Sequence, residues 1–184
     1  MKNKSLRILL ATNSMVLISV AMLGPIYAIF IEKIGGDILD ASFAYALFAI
    51  FAGATTFISG RFADKIKESE LIVALGYLLI SVGFAGYIWV NSMATLFIIQ
   101  ILIGIGEAIY SPAFDTLYSR HLDSHQEGKE WGMCESINYF TMGTGALFGG
   151  ILVTSFGFNV MFAVMSMLSL ASAMYIIRLP RNVL

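Results

Sequence analysis

Six apolar stretches, each long enough to cross a bilayer, constrain this 184-residue chain more than any other feature of its sequence. A hydrocarbon core about 30 Å thick is crossed by roughly 20 helical residues, at about 1.5 Å of rise per residue. The predicted spans are residues 8–31, 41–60, 71–90, 94–114, 132–155 and 159–177. We therefore expect an all-α membrane protein, with six transmembrane helices in a single domain over residues 1–184.

The composition excludes a soluble domain. Hydrophobic residues make up 58% of the chain and charged residues 12%, about half the charged share of a typical soluble protein. The basic segment before the first apolar stretch resembles a secretory signal, but the stretch is longer than the roughly 7–15 residues of a signal core. We expect a retained first helix. Cys134 has no second cysteine to pair with, so no disulfide is expected.

The basic residues predict the orientation of the chain in the membrane. With the spans alternating, ten of the eleven Lys and Arg residues fall on one side and only Lys33 falls on the other. The positive-inside rule makes the richer side cytoplasmic, which places both termini there. We expect a multi-pass protein of the cell (inner or plasma) membrane, and any homodimer should be parallel, with its axis along the membrane normal.

Glu107 is the strongest candidate for chemistry. A carboxylate within the hydrocarbon costs at least about 2.5 kcal/mol on insertion scales, so it persists there by protonation, by pairing or by facing a wet cavity. Steps of four and three residues join it to other polar or small residues of the fourth span, namely Gln100, Gly104, Ser111 and Asp115. This spacing puts them on one helical stripe, which indicates a substrate and proton cavity or, alternatively, packing against another helix with Glu107 protonated and hydrogen-bonded.

Other polar residues of the spans are weaker candidates for the same cavity. Glu135 lies one turn inside Trp131, so it either reaches the membrane surface or, with Asn138 one turn deeper, lines the cavity mouth. Asn13 is a candidate in the first span. Hydrogen bonding between helices is an alternative role for Asn13.

Small residues recur in the fifth span at Gly132, Gly145, Gly149 and Gly150. Such residues let helix backbones approach closely, which indicates a helix-packing face that can also lie against a partner chain. The pair His121 and His125 has metal-like spacing but lies in a charged loop, where solvation explains it better. No nucleophile and base occur together within the spans, so we expect no enzyme activity, no cofactor and no metal.

Three segments resemble signatures of the major facilitator superfamily. The link after the second span has Gly60, Asp64 and Lys65 at the positions of that family's inner-loop motif, although Lys67 stands where a second Gly is usual. The fourth span has Gln100, Gly104 and Gly106 where the family has Arg-x-x-x-Gly-x-Gly. The glycines of the fifth span are similar to the family's antiporter-type pattern, with Ala146 in place of its usual Pro.

The resemblance covers essentially the whole chain as one half of a twelve-helix fold. It implies a six-helix bundle built from two inverted three-helix repeats, and a substrate cavity between two parallel halves. It also implies that Gly60, Asp64 and Lys65 gate the transporter rather than bind substrate.

The sequence thus predicts a half-size secondary transporter that works by alternating access as a parallel homodimer. Two copies of Glu107 without a membrane cation favour proton-coupled export of a small cationic or neutral amphiphilic molecule. The expected partners are a second copy, membrane lipid, a small-molecule substrate and protons, and no nucleic acid. Two alternatives stay open: pairing with a separately encoded six-helix chain, and a non-transporting membrane interaction protein.

Overall fold

The computed structural model describes residues 4–63 and 68–180, and within them the regular structure is entirely helical. The α-helices are α1 Lys4–Leu23, α2 Tyr27–Lys33, α3 Ile38–Ala63, α4 Ser69–Gly86, α5 Met93–Arg120, α6 Glu127–Phe156 and α7 Phe158–Arg178. α1 and α2 belong to one membrane-length segment, so six such segments are present in the described part. The predicted all-α, six-helix fold class is confirmed.

The first segment is interrupted at Pro25. A short 3₁₀ turn, Gly24–Ile26, joins α1 to α2, and Pro25 lies in its first positions. Proline lacks the N–H that a continuous helix needs, which explains the break. The break places Tyr27 at the first position of α2.

Local signals set the ends of the later helices. Ser92 caps α5, because its hydroxyl accepts a hydrogen bond from the Thr95 amide at 3.4 Å and the Thr95 hydroxyl accepts one from the Ser92 amide at 3.3 Å. Between α6 and α7 the chain turns within Gly157, whose φ of 84° is a conformation that suits glycine. These two signals fix where the fourth span begins and where the fifth ends.

The helix pairings agree with two inverted three-helix repeats. The second span of the first repeat, α3, packs along α5, which is the first span of the second repeat. In the equivalent pairing, α6 packs along α1. Likewise α4 packs against α5, and α7 packs against α1. α4 and α7 also pack against each other at the centre, as a symmetry-related pair must.

A reciprocal pair of serines marks the centre of this arrangement. The hydroxyl of Ser81 on α4 donates to the carbonyl of Ser166 on α7 at 2.9 Å, and the hydroxyl of Ser166 donates to the carbonyl of Ser81 at the same distance. Each serine therefore donates to the carbonyl of the other. This is the signature of a contact on a two-fold axis.

The helices differ in how much of their surface is buried. Side chains of α4 and α7 fill the core, with Tyr77, Phe162 and Met165 fully buried. α3 and α6 instead expose large apolar side chains, including Ile38 at 77% and Phe140 at 77%. In a membrane these two helices present apolar faces either to lipid or to another protein.

Two of the predicted glycines let α6 approach α1 closely. A Cβ added at Gly145 would lie 2.8 Å from the Ile18 carbonyl oxygen, and one at Gly149 would overlap the Met22 backbone. Gly132 and Gly150, by contrast, have open space where a Cβ would point. The former two pack within the chain, and the latter two leave their surface free.

Candidate functional site

Two cavities lie between α1 and α5, one toward each end of the bundle. We call the end at which α1 begins and α7 ends the basic end, because it carries most of the described Lys and Arg residues. One cavity lies toward the opposite end and is bordered by α3, and the other lies toward the basic end and is bordered by α6. Since α3 and α6 are equivalent in the two repeats, the cavities occupy equivalent places.

The Glu107 cavity, toward the end opposite the basic end, has a volume of about 230 Å³. Glu107 is its one acid, and none of its described lining residues is basic. Aromatic rings form much of the wall, contributed by Tyr27, Tyr45, Phe48, Phe84 and Tyr87. A carboxylate among aromatic faces attracts an organic cation by charge and by cation–π contact.

A hydrogen bond between the first and fourth spans closes one side of this cavity. The amide nitrogen of Gln100 donates to the Tyr27 hydroxyl. The bond lies just past the break at Pro25, because Tyr27 is the first residue of α2. It thus links the helix that carries Glu107 to the start of α2.

The Asn138 cavity, toward the basic end, has a volume of about 150 Å³. Polar side chains from three helices line it: Asn13, Ser111, Asp115, Glu135 and Asn138. Asp115 and Glu135 are exposed, so they stand at its mouth. Trp131, Tyr110 and Phe114 supply aromatic surface.

Two asparagines, Asn13 and Asn138, line the deeper part of the Asn138 cavity. The side-chain oxygen of Asn13 accepts a hydrogen bond from the Tyr77 hydroxyl at 3.2 Å, which ties α1 to α4. The side-chain oxygen of Asn138 is buried and has no hydrogen-bond partner among the described residues. That oxygen is an acceptor available to water or to a ligand.

The structure divides the predicted cavity residues between these two places. Gln100 and Glu107 meet in the Glu107 cavity, whereas the others line the Asn138 cavity: Asn13, Ser111, Glu135 and Asn138. Gly60 lies exposed near the end of α3, and Asp64 and Lys65 lie outside the described residues. The roles of all these residues stay predictions.

Several lining residues were not predicted from the sequence. Tyr45 and Phe48 belong to α3, which is apolar on every side and so gives no sign of which face meets a cavity. Asp115, by contrast, belongs to the polar stripe predicted for the fourth span, and it lines the Asn138 cavity.

A serine of α3 supplies the hydrogen bond that the backbone of α5 lacks at its proline. Pro112 lies inside α5 and has no N–H to offer the carbonyl of Ala108, four residues earlier. The hydroxyl of Ser59 donates to that carbonyl at 2.8 Å. Because Ala108 follows Glu107 directly, this bond fixes the backbone next to the candidate acid to α3.

Substituting Ser59 by alanine is expected to destabilise the protein by about 0.5–1.5 kcal/mol, the range for hydrogen bonds between membrane helices. The freed carbonyl of Ala108 would then lack its donor. A lower thermal unfolding midpoint in detergent is the expected measurement. Ser42→Ala is the matched control, because Ser42 donates only to Ile38 of its own helix, at 2.9 Å. Equal midpoints for the two variants would contradict the role of Ser59.

The fold and the cavities define a multi-pass membrane protein with a polar cleft between two inverted repeats. Comparison with known proteins specifies the family, because the sequence profile of the Major Facilitator Superfamily matches residues 9–183. The chain belongs to the major facilitator superfamily.

The chain is also similar to curated members named multidrug resistance protein MdtG. It is 26% identical over 182 residues to that of Yersinia enterocolitica and 26% identical over 181 residues to that of Erwinia billingiae. These alignments cover 95% of this chain and 43% and 44% of the relatives. The Salmonella typhimurium relative is 26% identical over 175 residues, which is 91% of this chain and 42% of that protein. The chain thus spans less than half the length of these relatives.

Proposed function

We propose that this protein is a secondary active transporter that exports small cationic or neutral amphiphilic molecules in exchange for protons. The observation that carries the proposal is Glu107 in an aromatic cavity without a basic residue in its described lining. Such a carboxylate can hold either a proton or an organic cation, and the two compete for it. Competition for one site couples the two flows when the carrier changes access only with a proton or a substrate bound.

The character of the cavity and the relatives support the substrate class. Rings of Tyr27, Tyr45 and Phe48 offer apolar area with few fixed hydrogen bonds, which suits varied amphiphiles rather than one polar solute. The relatives are named for multidrug resistance. We extend that substrate class to this chain.

We further propose that two copies assemble in parallel and alternate access to a shared central cavity. The one-sided distribution of basic residues supports parallel orientation, with both termini in the cytoplasm. The exposed apolar faces of α3 and α6, together with the open surface at Gly132 and Gly150, are available to a second copy. In this arrangement Gly60, Asp64 and Lys65 form the gate at the cytoplasmic side.

Transport by the purified chain tests the function. We expect proteoliposomes containing only this protein to move a fluorescent aromatic cation when a pH gradient is imposed, and to stop when the gradient is dissipated. Empty liposomes give the background. Absence of pH-dependent flux from the single chain would argue for a separately encoded partner or for a role without transport.

Stoichiometry is a separate prediction. Native mass spectrometry of the chain in lipid nanodiscs should show a two-copy species that persists as the ratio of protein to disc is lowered. Close packing at Gly132 and Gly150 is expected to favour the association, because small residues let the backbones of membrane helices approach closely. Only single copies at every ratio would contradict the homodimer while leaving the substrate class of the cavity open to test.

A further inference from the structure

A groove larger than either cavity lies outside them, between α1 and α7 at the basic end. Its volume is about 640 Å³. Lys4 and Arg7 lie at its mouth, Ala11 and Met15 continue it along α1, and Ala171 and Tyr175 form its other wall. Its described lining contains two cations and no carboxylate.

The groove follows one stripe of α1 that α6 covers only in part. Positions 4, 7, 11, 15, 18 and 22 recur at three- and four-residue steps and share a face. At Ile18 and Met22 this face is covered by Gly145 and Gly149 of α6. Toward the basic end α6 no longer covers the stripe, which leaves the surface from Lys4 to Met15 open.

The floor of the groove is fixed. The hydroxyl of Ser172 on α7 donates to the Thr12 carbonyl on α1 at 3.0 Å, and both residues are buried. The residues of α1 that line the cavities, Asn13, Leu17 and Val20, lie on the other side of the helix. The groove is therefore separate from the candidate transport path.

The distribution of charge along the groove matches an anionic phospholipid. Lys4 and Arg7 lie within the first turn of a membrane-length segment, at the depth of lipid headgroups. Tyr175 lies one turn before the end of α7, where an amphipathic ring suits the interface. Beyond the cations the walls are small or apolar, at Ala11, Met15 and Ala171, and can take an acyl chain.

We propose that this groove binds an anionic phospholipid, with its phosphate between Lys4 and Arg7 and an acyl chain against Ala11 and Met15. Basic pockets between membrane helices are known to take such headgroups. The proposal is independent of the transport function, because it depends on a different surface. It assigns a ligand to the junction of the two repeats, where α1 meets α7.

Retention of added phosphatidylglycerol in native mass spectrometry tests the proposal, with phosphatidylcholine as the zwitterionic comparison. We expect the wild type to retain phosphatidylglycerol preferentially and Arg7→Gln to retain roughly fivefold less, the effect of one cation at a lipid surface. Lys129→Gln is the matched control, because Lys129 is an exposed cation of the same end outside the groove. It should behave as the wild type.

A second variant tests the acyl-chain part without altering charge. Ala11→Phe places a ring in the groove from an exposed position and should also lower retention of phosphatidylglycerol. If Arg7→Gln fails to fold, as judged by circular dichroism, Lys4→Gln at the exposed first residue of α1 replaces it. The proposal is overturned by undiminished retention in the folded groove variants, by an equal loss in Lys129→Gln, or by equal retention of both lipids.

Discussion

Glu107→Gln is expected to abolish proton-driven accumulation of substrate while the protein stays folded. Glutamine keeps the size and hydrogen bonding of the side chain but cannot exchange a proton or pair with a cation. If one proton exchanges for one cation, a gradient of one pH unit supports about tenfold accumulation in the wild type and none in the variant. Accumulation of an aromatic cation in proteoliposomes, measured against the imposed gradient, gives this ratio directly.

The control for this experiment is an acid outside both cavities. Glu32 is exposed on α2, so Glu32→Gln removes the same charge without touching the site. Its accumulation ratio should equal that of the wild type. If the Glu107→Gln protein still accumulated substrate in proportion to the pH gradient, Glu107 would not be the coupling group.

Gly149→Ala is expected to cause the largest loss of stability among conservative changes in the chain. The added methyl group would overlap the backbone of Met22, and the backbone of a packed helix cannot rotate away as a side chain can. Overpacking of this kind costs about 1–3 kcal/mol. We expect a marked fall in the thermal unfolding midpoint and in the yield of monodisperse protein.

A second glycine of α6 is the matched control. Gly143 has nothing within 4 Å of a Cβ position, so Gly143→Ala adds the same methyl group to open space. Alanine is also the better helix former, by up to about 1 kcal/mol. The midpoint of this variant should equal or exceed that of the wild type. Similar losses at both positions would mean that α6 does not contact α1 through Gly149.

Membrane helices and their number followed from the sequence because length and hydrophobicity alone determine whether a segment crosses a bilayer. The sequence did not show which helix packs against each face of another helix. The stripe from Gln100 to Asp115 covers 16 residues, or about 22 Å of helix, so it passes two different neighbours. The periodicity identified the polar face of α5, but only the packing shows that α3 borders one part and α6 the other.

Residues on uniformly apolar helices were the hardest to predict. α3 carries apolar side chains on all sides, so no periodicity distinguishes Tyr45 and Phe48, which line a cavity, from their lipid-facing neighbours. The proline of α5 gave a partial signal. Pro112 implies a free carbonyl at Ala108, yet the sequence does not indicate that Ser59, 49 residues away, supplies the donor.

The reciprocal contact of Ser81 and Ser166 joins the two repeats at the centre of the bundle. It ties α4 to α7 between the two repeats, and the two cavities lie toward opposite ends of the cleft between α1 and α5. The two repeats are therefore joined to each other between the cavities, and we expect each chain to move as one unit when the proposed dimer changes the side to which it is open.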